Sequence, residues 1–277
     1  MRARTAVTDR SVVASARDVP RSPIRVAWTT MSESLDLPDA VPPRAVVFFD
    51  VDGTLVPGTS SSQYLARSLG HLDDLVIAEA GYDVGELSNQ EVCIRDALSW
   101  RDHTVADVDA WLRGLPLVRG IAETVDWCRA HRLEPHLATL AWEPVGLHLV
   151  RRLGFAGFCG PRLVVIDDRY TGEVERHFDE YDKLASAAAV AADAGVPLST
   201  CAAVGDSRSD LPLFANVGLP IAFNASPAAK AAATHVVDGD DLTAILPHLK
   251  TWLDTLSHRP VPNPKPASNL TTGKLRA

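Results

Sequence analysis

The chain has 277 residues, 46% of them hydrophobic and 22% charged, with a formal net charge of −8. That balance suits one large domain, or a core with a smaller companion, and excludes a wholly disordered or collagen-like chain. The acidity argues against nucleic acid, whose phosphate backbone selects a basic face, and no run of ~18 uncharged apolar residues offers a membrane span. Cys93, Cys128, Cys159 and Cys201 form no C-x-x-C pair, so neither a disulfide framework nor a zinc knuckle is expected and the reducing cytoplasm is the plain reading.

Residues 1–43 are rich in Arg, Ala, Ser and Pro without sustained apolar periodicity, and read as an extension outside the core. Arg2 and Arg4 are followed by no apolar run of signal-peptide length, and Met31 is a candidate alternative start. Ala45–Phe49 is a continuous apolar run that stops at Asp50, as a buried parallel strand does at its carboxyl end. Residues 58–117 hold no convincing strand but several amphipathic patterns, and read as an inserted helical module. A module that leaves the sheet at a strand end would sit above a site.

Helices are then expected at about 118–131, 143–153, 181–194, 209–216 and 241–256, with Pro144 and Gly154 punctuating the second. Between them, His136–Ala138, Leu163–Ile166, Cys201–Val204 and Leu219–Phe223 read as further parallel strands, and His235–Val237 as a last short one. Residues 259–277, with Pro260, Pro262, Pro264 and Pro266, read as an extended tail. The alternation predicts an α/β fold: a Rossmann-like parallel sheet with helices on both faces, formed by residues 44–57 and 118–258, with residues 58–117 as a helical cap.

Two motifs lie directly after predicted strands. Asp50-Val51-Asp52-Gly53-Thr54 sets two carboxylates two residues apart beside a glycine that allows the backbone to turn. An Asp-Gly turn is the plain alternative. A calcium loop is excluded by Leu55, which stands where an EF-hand requires glycine. Gly205-Asp206-Ser207-Arg208-Ser209-Asp210 brings two more carboxylates to a strand end, although alone it also reads as a helix N-cap with an acidic first turn. Thr139 ends a strand, where its hydroxyl and the following N–H groups can bind an oxyanion, and Lys183 in a helix can supply a fixed positive charge. No P-loop and no dinucleotide fingerprint occurs.

D-x-D-G-T, then Thr139, then Lys183, then G-D-x-x-x-D, in this order, resembles the haloacid dehalogenase-like hydrolase superfamily. The likeness covers roughly residues 44 to 240. The helical insertion resembles the small cap of the phosphoserine-phosphatase-like branch, and Asp168–Glu173 resembles a short hairpin of that branch. The resemblance implies that Asp50 is the nucleophile that forms an aspartyl-phosphate and that Asp52 is the general acid and then base. It implies that Asp50, Asp52 (through its backbone carbonyl) and Asp206 hold Mg²⁺. Thr139 and Lys183 would grip the phosphoryl oxygens, with Asp210 and Gly53 in support.

The same resemblance bears on substrate. True dehalogenases of the superfamily manage without a second catalytic aspartate, so Asp52 favours phosphoryl transfer. Phosphoserine phosphatases carry a glutamate nine residues after the nucleophile for the substrate's amino group; here that position is Thr59. Arg95 falls about where the branch places an arginine for the substrate carboxylate. Leu140 and Ser209 replace the glycine and asparagine frequent at their positions. The expectation is a Mg²⁺-dependent phosphatase acting on a small phosphorylated metabolite other than phosphoserine, with no nucleic-acid or membrane partner. A phosphotransferase or mutase using the same aspartyl-phosphate, and a non-catalytic module binding a phosphorylated ligand, are the alternatives. Oligomeric state is not legible.

Overall fold

The computed structural model describes residues 41–257. Met31 and almost all of both expected tails lie outside the described residues. Six parallel strands form one sheet in the order β3-β2-β1-β6-β7-β8. These are β1 (Ala45–Phe49), β2 (Leu133–Ala138), β3 (Gly157–Cys159), β6 (Ala202–Gly205), β7 (Leu219–Phe223) and β8 (His235–Val237). β1 is buried throughout, because a central strand covered on both faces needs apolar residues at every position rather than at alternate ones. Helices α5 (Ile121–Ala130), α6 (Glu143–Leu153), α7 (Glu180–Asp193), α8 (Leu211–Phe214), α9 (Pro227–Ala232) and α10 (Leu246–Ser257) accompany these strands. No described helix is long and apolar enough to cross a membrane.

The chain leaves β1 first towards β2 and β3, then returns to β6, β7 and β8 on its other side. β1 and β6 therefore flank the point where strand order reverses, which in open α/β sheets is where ligands bind. Register aligns this edge. Phe49 lies opposite Leu137 of β2 and Val204 of β6, so Asp50, Thr139 and Asp206 all follow the ends of neighbouring strands.

Leu163–Ile166 does not join this sheet. It forms β4 (Arg162–Ile166), which pairs antiparallel with β5 (Arg169–Arg176) as a separate two-stranded sheet. The turn between them is Asp167-Asp168, both with positive φ, which matches the twist of a tight hairpin and which aspartate tolerates. Only Leu163 of the apolar run is buried, while Val165 and Ile166 face solvent. Four apolar residues in a row cannot distinguish the two sheets. The third parallel strand is instead Gly157–Cys159, too short to announce itself by periodicity.

Residues 58–117 fold as four helices, α1 (Ser61–Leu69), α2 (Leu72–Asp83), α3 (Asn89–Leu98) and α4 (Val105–Leu112). Side chains cap three of them: Ser60 starts α1, and Ser88–Glu91 and Thr104–Asp107 capping boxes start α3 and α4. Trp100 and Val108 belong to the same apolar cluster as the sheet, and Trp111 packs against it. Tyr170 of the hairpin meets the Trp100 ring edge-on at 5.0 Å.

Asp96 of α3 joins the insert to the sheet side. It is buried, and its carboxylate accepts from Trp100 Nε1 (3.1 Å) and from Trp142 Nε1 (2.7 Å) at the start of α6, and meets His71 Nε2 at 2.7 Å. Asp96→Ala would strand two buried indole N–H groups, each costing about 1–3 kcal/mol. We expect a loss of about 3 kcal/mol in urea unfolding, with Asp96→Asn retaining part of it.

Candidate active site

Asp50 is fixed by strand geometry: its backbone N–H donates to the Val204 carbonyl (2.9 Å), and Val51 N–H donates to its Oδ1 (2.8 Å). The chain then turns at Gly53, whose φ is +81°, and a Cβ there would overlap the Asp206 carboxylate. Only glycine combines that conformation with that approach. Thr54 Oγ1 donates to Asp206 Oδ1 (3.1 Å) across the same gap. Asp210 Oδ2 accepts from the backbone N–H groups of Asp206 (2.9 Å) and Ser207 (3.1 Å), and so holds the loop after β6 in shape.

Lys183 enters from below. Asp179 caps α7, accepting from Tyr181 and Asp182 N–H groups, and this sets Lys183 in the first turn. Its fully buried ammonium lies 2.6 Å from Asp210 Oδ1 and 3.2 Å from Asp50 Oδ1. Burial alone would lower its pKa, but Asp210 and Asp50 outweigh that and raise it. It is a permanent cation.

One ammonium does not balance the site. Oxygens of Asp50, Asp206 and Asp210 lie within 4.8 Å of one another. Burial, with repulsion from Asp210 and Asp52, pushes Asp50 up to about 7 despite Lys183. Burial, Asp50 and Asp210 push Asp206 up to about 9. Asp210 is largely committed to Lys183 and two N–H groups, which leaves Asp50 and Asp206 to share a cation. All-oxygen donors, an excess of two negative charges and the tight Gly53 turn fit a small hard divalent ion such as Mg²⁺.

Asp52 is held differently. Its Oδ1 accepts from Ser61 N–H at the start of α1 (2.6 Å), and its pKa is raised, chiefly by burial. Its carboxylate is therefore engaged away from the Asp50–Asp206 pair, so a carboxylate role at the metal, as distinct from one through its backbone carbonyl, does not fit. Thr139 lines the cavity, its Oγ1 accepting from Ala141 N–H (3.0 Å).

Above these groups lies a cavity of about 590 Å³ between the sheet edge and the insert. Thr59, Leu140 and Ser209 line it, as do Ser60, Gln63, Glu79, Asn89, Val92, Cys93 and Asp96. Arg95 does not. The stripe Asn89, Val92, Cys93 and Asp96 turns inward, and Arg95 falls outside it and is exposed. The expectation that Arg95 meets substrate is corrected by that helical phase. A different arginine contacts the insert. Arg208 donates to the Tyr82 carbonyl and to Glu180 Oε1 (3.0 Å), stacked 4.3 Å over the Tyr82 ring.

A family model described as haloacid dehalogenase-like hydrolase matches residues 47–215. The chain belongs to the haloacid dehalogenase-like hydrolases. Within them it falls in the phosphoserine-phosphatase-like branch, and it is a phosphoric monoester hydrolase. It is 24% identical to the phosphoserine phosphatase of Methanocaldococcus jannaschii over 208 residues, covering 75% of this chain and 98% of that one. It is 30% identical to the Streptomyces coelicolor phosphoserine phosphatase, covering 82% of this chain but 57% of that protein. A solved phospho-aspartyl intermediate analogue of a phosphoserine phosphatase shares the fold at a TM-score of 0.67 and 24% identity, covering 74% of this chain and 98% of that one.

Sequence reasoning missed one residue of this hydrolase cavity in particular. Glu79 lies on α2, a helix with no amphipathic stripe, so no pattern marked which of its side chains faces inward.

Asp50 and Asp206 ionise near 3.8 in an unfolded chain but at about 7 and about 9 here. The folded state therefore binds more protons between those values, and stability falls as pH rises through that window. We expect the metal-free Tm to drop between pH 6 and pH 8.5, Mg²⁺ to restore it more at the higher pH, and Asp206→Asn to remove most of both effects. Lys183→Met would leave Asp50 and Asp210 buried without their cation, at a cost of about 3–5 kcal/mol in denaturant unfolding.

Proposed function

We propose that this hydrolase is a Mg²⁺-dependent phosphatase that cleaves a small-molecule phosphomonoester through an aspartyl-phosphate on Asp50, with residues 58–117 acting as a cap. The observation that carries the reading is the Asp50–Lys183–Asp210 arrangement facing Asp206 at the strand-order reversal. Both hydrogen-bonded contacts of Asp50 fall on Oδ1, which leaves Oδ2 to attack phosphorus. As that bond forms, the P–O bond to the alcohol breaks, and Asp52, whose pKa burial raises, gives a proton to the departing oxygen. Asp52 then takes a proton from the water that displaces phosphate from Asp50.

Phosphoryl transfer of this kind needs little besides alignment and neutralised charge. Asp50 and Asp206, with the Asp52 backbone carbonyl, would hold the metal, which when bound supplies positive charge to the phosphoryl oxygens. Lys183 adds a second, fixed charge, and Thr139 would donate its hydroxyl. Free thiols at all four cysteines accord with a cytoplasmic protein. Thr59 in place of the branch's glutamate, together with the outward-facing Arg95, supports a substrate other than phosphoserine.

With Mg²⁺, the wild type is expected to release phosphate from p-nitrophenyl phosphate and from a panel of small phosphomonoesters. Asp50→Asn should lower kcat by about a thousandfold or more, as loss of a nucleophile does. Equal activity in Asp50→Asn would overturn the mechanism. Preferential transfer to an added acceptor alcohol would make the protein a phosphotransferase, and tight ester binding without turnover would make it a binding module.

A further inference from the structure

The cavity wall supplied by the insert has an unusual charge balance for a site that takes an anionic substrate. Among the described residues no lysine, arginine or histidine lines it, whereas Glu79 and Asp83 do, along with Asp96. The one cation at the site, Lys183, lies under the floor and is already shared between Asp50 and Asp210.

Glu79 is the side chain this balance leaves unexplained. Its Oε1 accepts from Ser60 Oγ (2.7 Å) and its Oε2 from Gln63 Nε2 (2.6 Å). The Gln63 amide is fixed in this sense because the Glu79 carboxylate accepts, which leaves its Oε1 to accept from the Thr59 hydroxyl at 3.3 Å. One neutral donor on each oxygen orients the carboxylate but does not offset its charge. Burial is the largest cost to its ionisation, and the acidic groups of Asp52 and Asp96 add to it. Asp96 differs, since two indole N–H groups and His71 occupy it.

We propose that the cavity selects phosphomonoesters whose alcohol part carries a protonated amine and no carboxylate, with Glu79 as the counter-ion of that amine. The proposal rests on the phosphatase reading above. A neutral hydroxyl could donate a hydrogen bond to Glu79 but would leave its charge and its repulsion with Asp96 in place. A carboxylate would add to it in a poorly solvated space with no cation to receive it. An ammonium group offsets the charge and donates to the remaining lone pairs.

Position supports the same assignment. Asp52 is anchored on Ser61 N–H and Glu79 on the Ser60 hydroxyl, neighbouring residues of one helix start whose Cα atoms are ~3.8 Å apart. The oxygen that receives the Asp52 proton therefore lies a short spacer from Glu79. Thr59, where the branch carries its glutamate, belongs to this same network, so the negative charge reaches the cavity from α2 instead of from the strand-end loop.

The test is a kcat/KM ranking with the full chain and Mg²⁺ on O-phosphoethanolamine, glycerol 3-phosphate, O-phosphoserine and p-nitrophenyl phosphate. We expect O-phosphoethanolamine to exceed the other two small esters at least tenfold. Glu79→Gln should cut the O-phosphoethanolamine to glycerol 3-phosphate ratio at least tenfold, mainly through KM. Hydrolysis of p-nitrophenyl phosphate together with no preference, or with preference for glycerol 3-phosphate or O-phosphoserine, overturns the proposal and leaves the phosphatase reading standing. An unchanged ratio in a folded Glu79→Gln protein overturns the role of Glu79. Release of phosphate from none of the four overturns both readings. The wild-type ranking decides the charge question without any variant.

Discussion

A fully buried ammonium group held between two carboxylates is costly to assemble, and the rest of the site is arranged around that cost. Lys183 is tolerable only because Asp210 and Asp50 reach it at 2.6 and 3.2 Å. Those contacts in turn require the end of β1, the first turn of α7 and the loop after β6 to meet at one point. The Asp179 cap and the grip of Asp210 on two backbone N–H groups serve that convergence. The arrangement remains two charges short of neutrality, which a divalent ion would offset, and a phosphate dianion would be favourable there only once that ion is in place.

The insert answers a different need. The sheet edge alone offers a charged groove open to water, where electrostatic interactions are weak. Residues of α1, α2 and α3 wall the cavity above that edge, and on the proposed reading theirs are the side chains that would meet the alcohol. Chemistry and recognition thereby come from separate stretches of chain. In the proposed reaction the strand-end loops would serve any phosphomonoester, and the inward face of the insert would distinguish one ester from another.

That division explains what could be read from the chain alone. Asp50, Asp52, Asp206 and Asp210 stand at the ends of apolar runs, and their short loops leave little freedom of direction, so spacing in sequence is nearly spacing in space. The cap helices carry no such constraint. Arg95 was placed by counting along the chain, and a helix turns each residue by about 100°, so an offset of one or two positions exchanges cavity for solvent. Glu79 lies on a helix that is apolar on several sides, where periodicity gives no direction. Leu163–Ile166 was misassigned for a related reason, since a run of apolar residues reports burial or pairing but not the partner. In each case the missing information was a long-range contact.

Two of the polar contacts between the insert and the sheet side differ in kind. Asp96 and Trp142 meet in the dry interior, where parting them would strand a buried carboxylate and an indole N–H together. Arg208, Tyr82 and Glu180 meet where water can replace each partner, and such contacts are worth about 1 kcal/mol or less. Of these two contacts the one at Arg208 is the cheaper to break, so a disturbance of the cavity rim costs less at that flank than at the Asp96 flank.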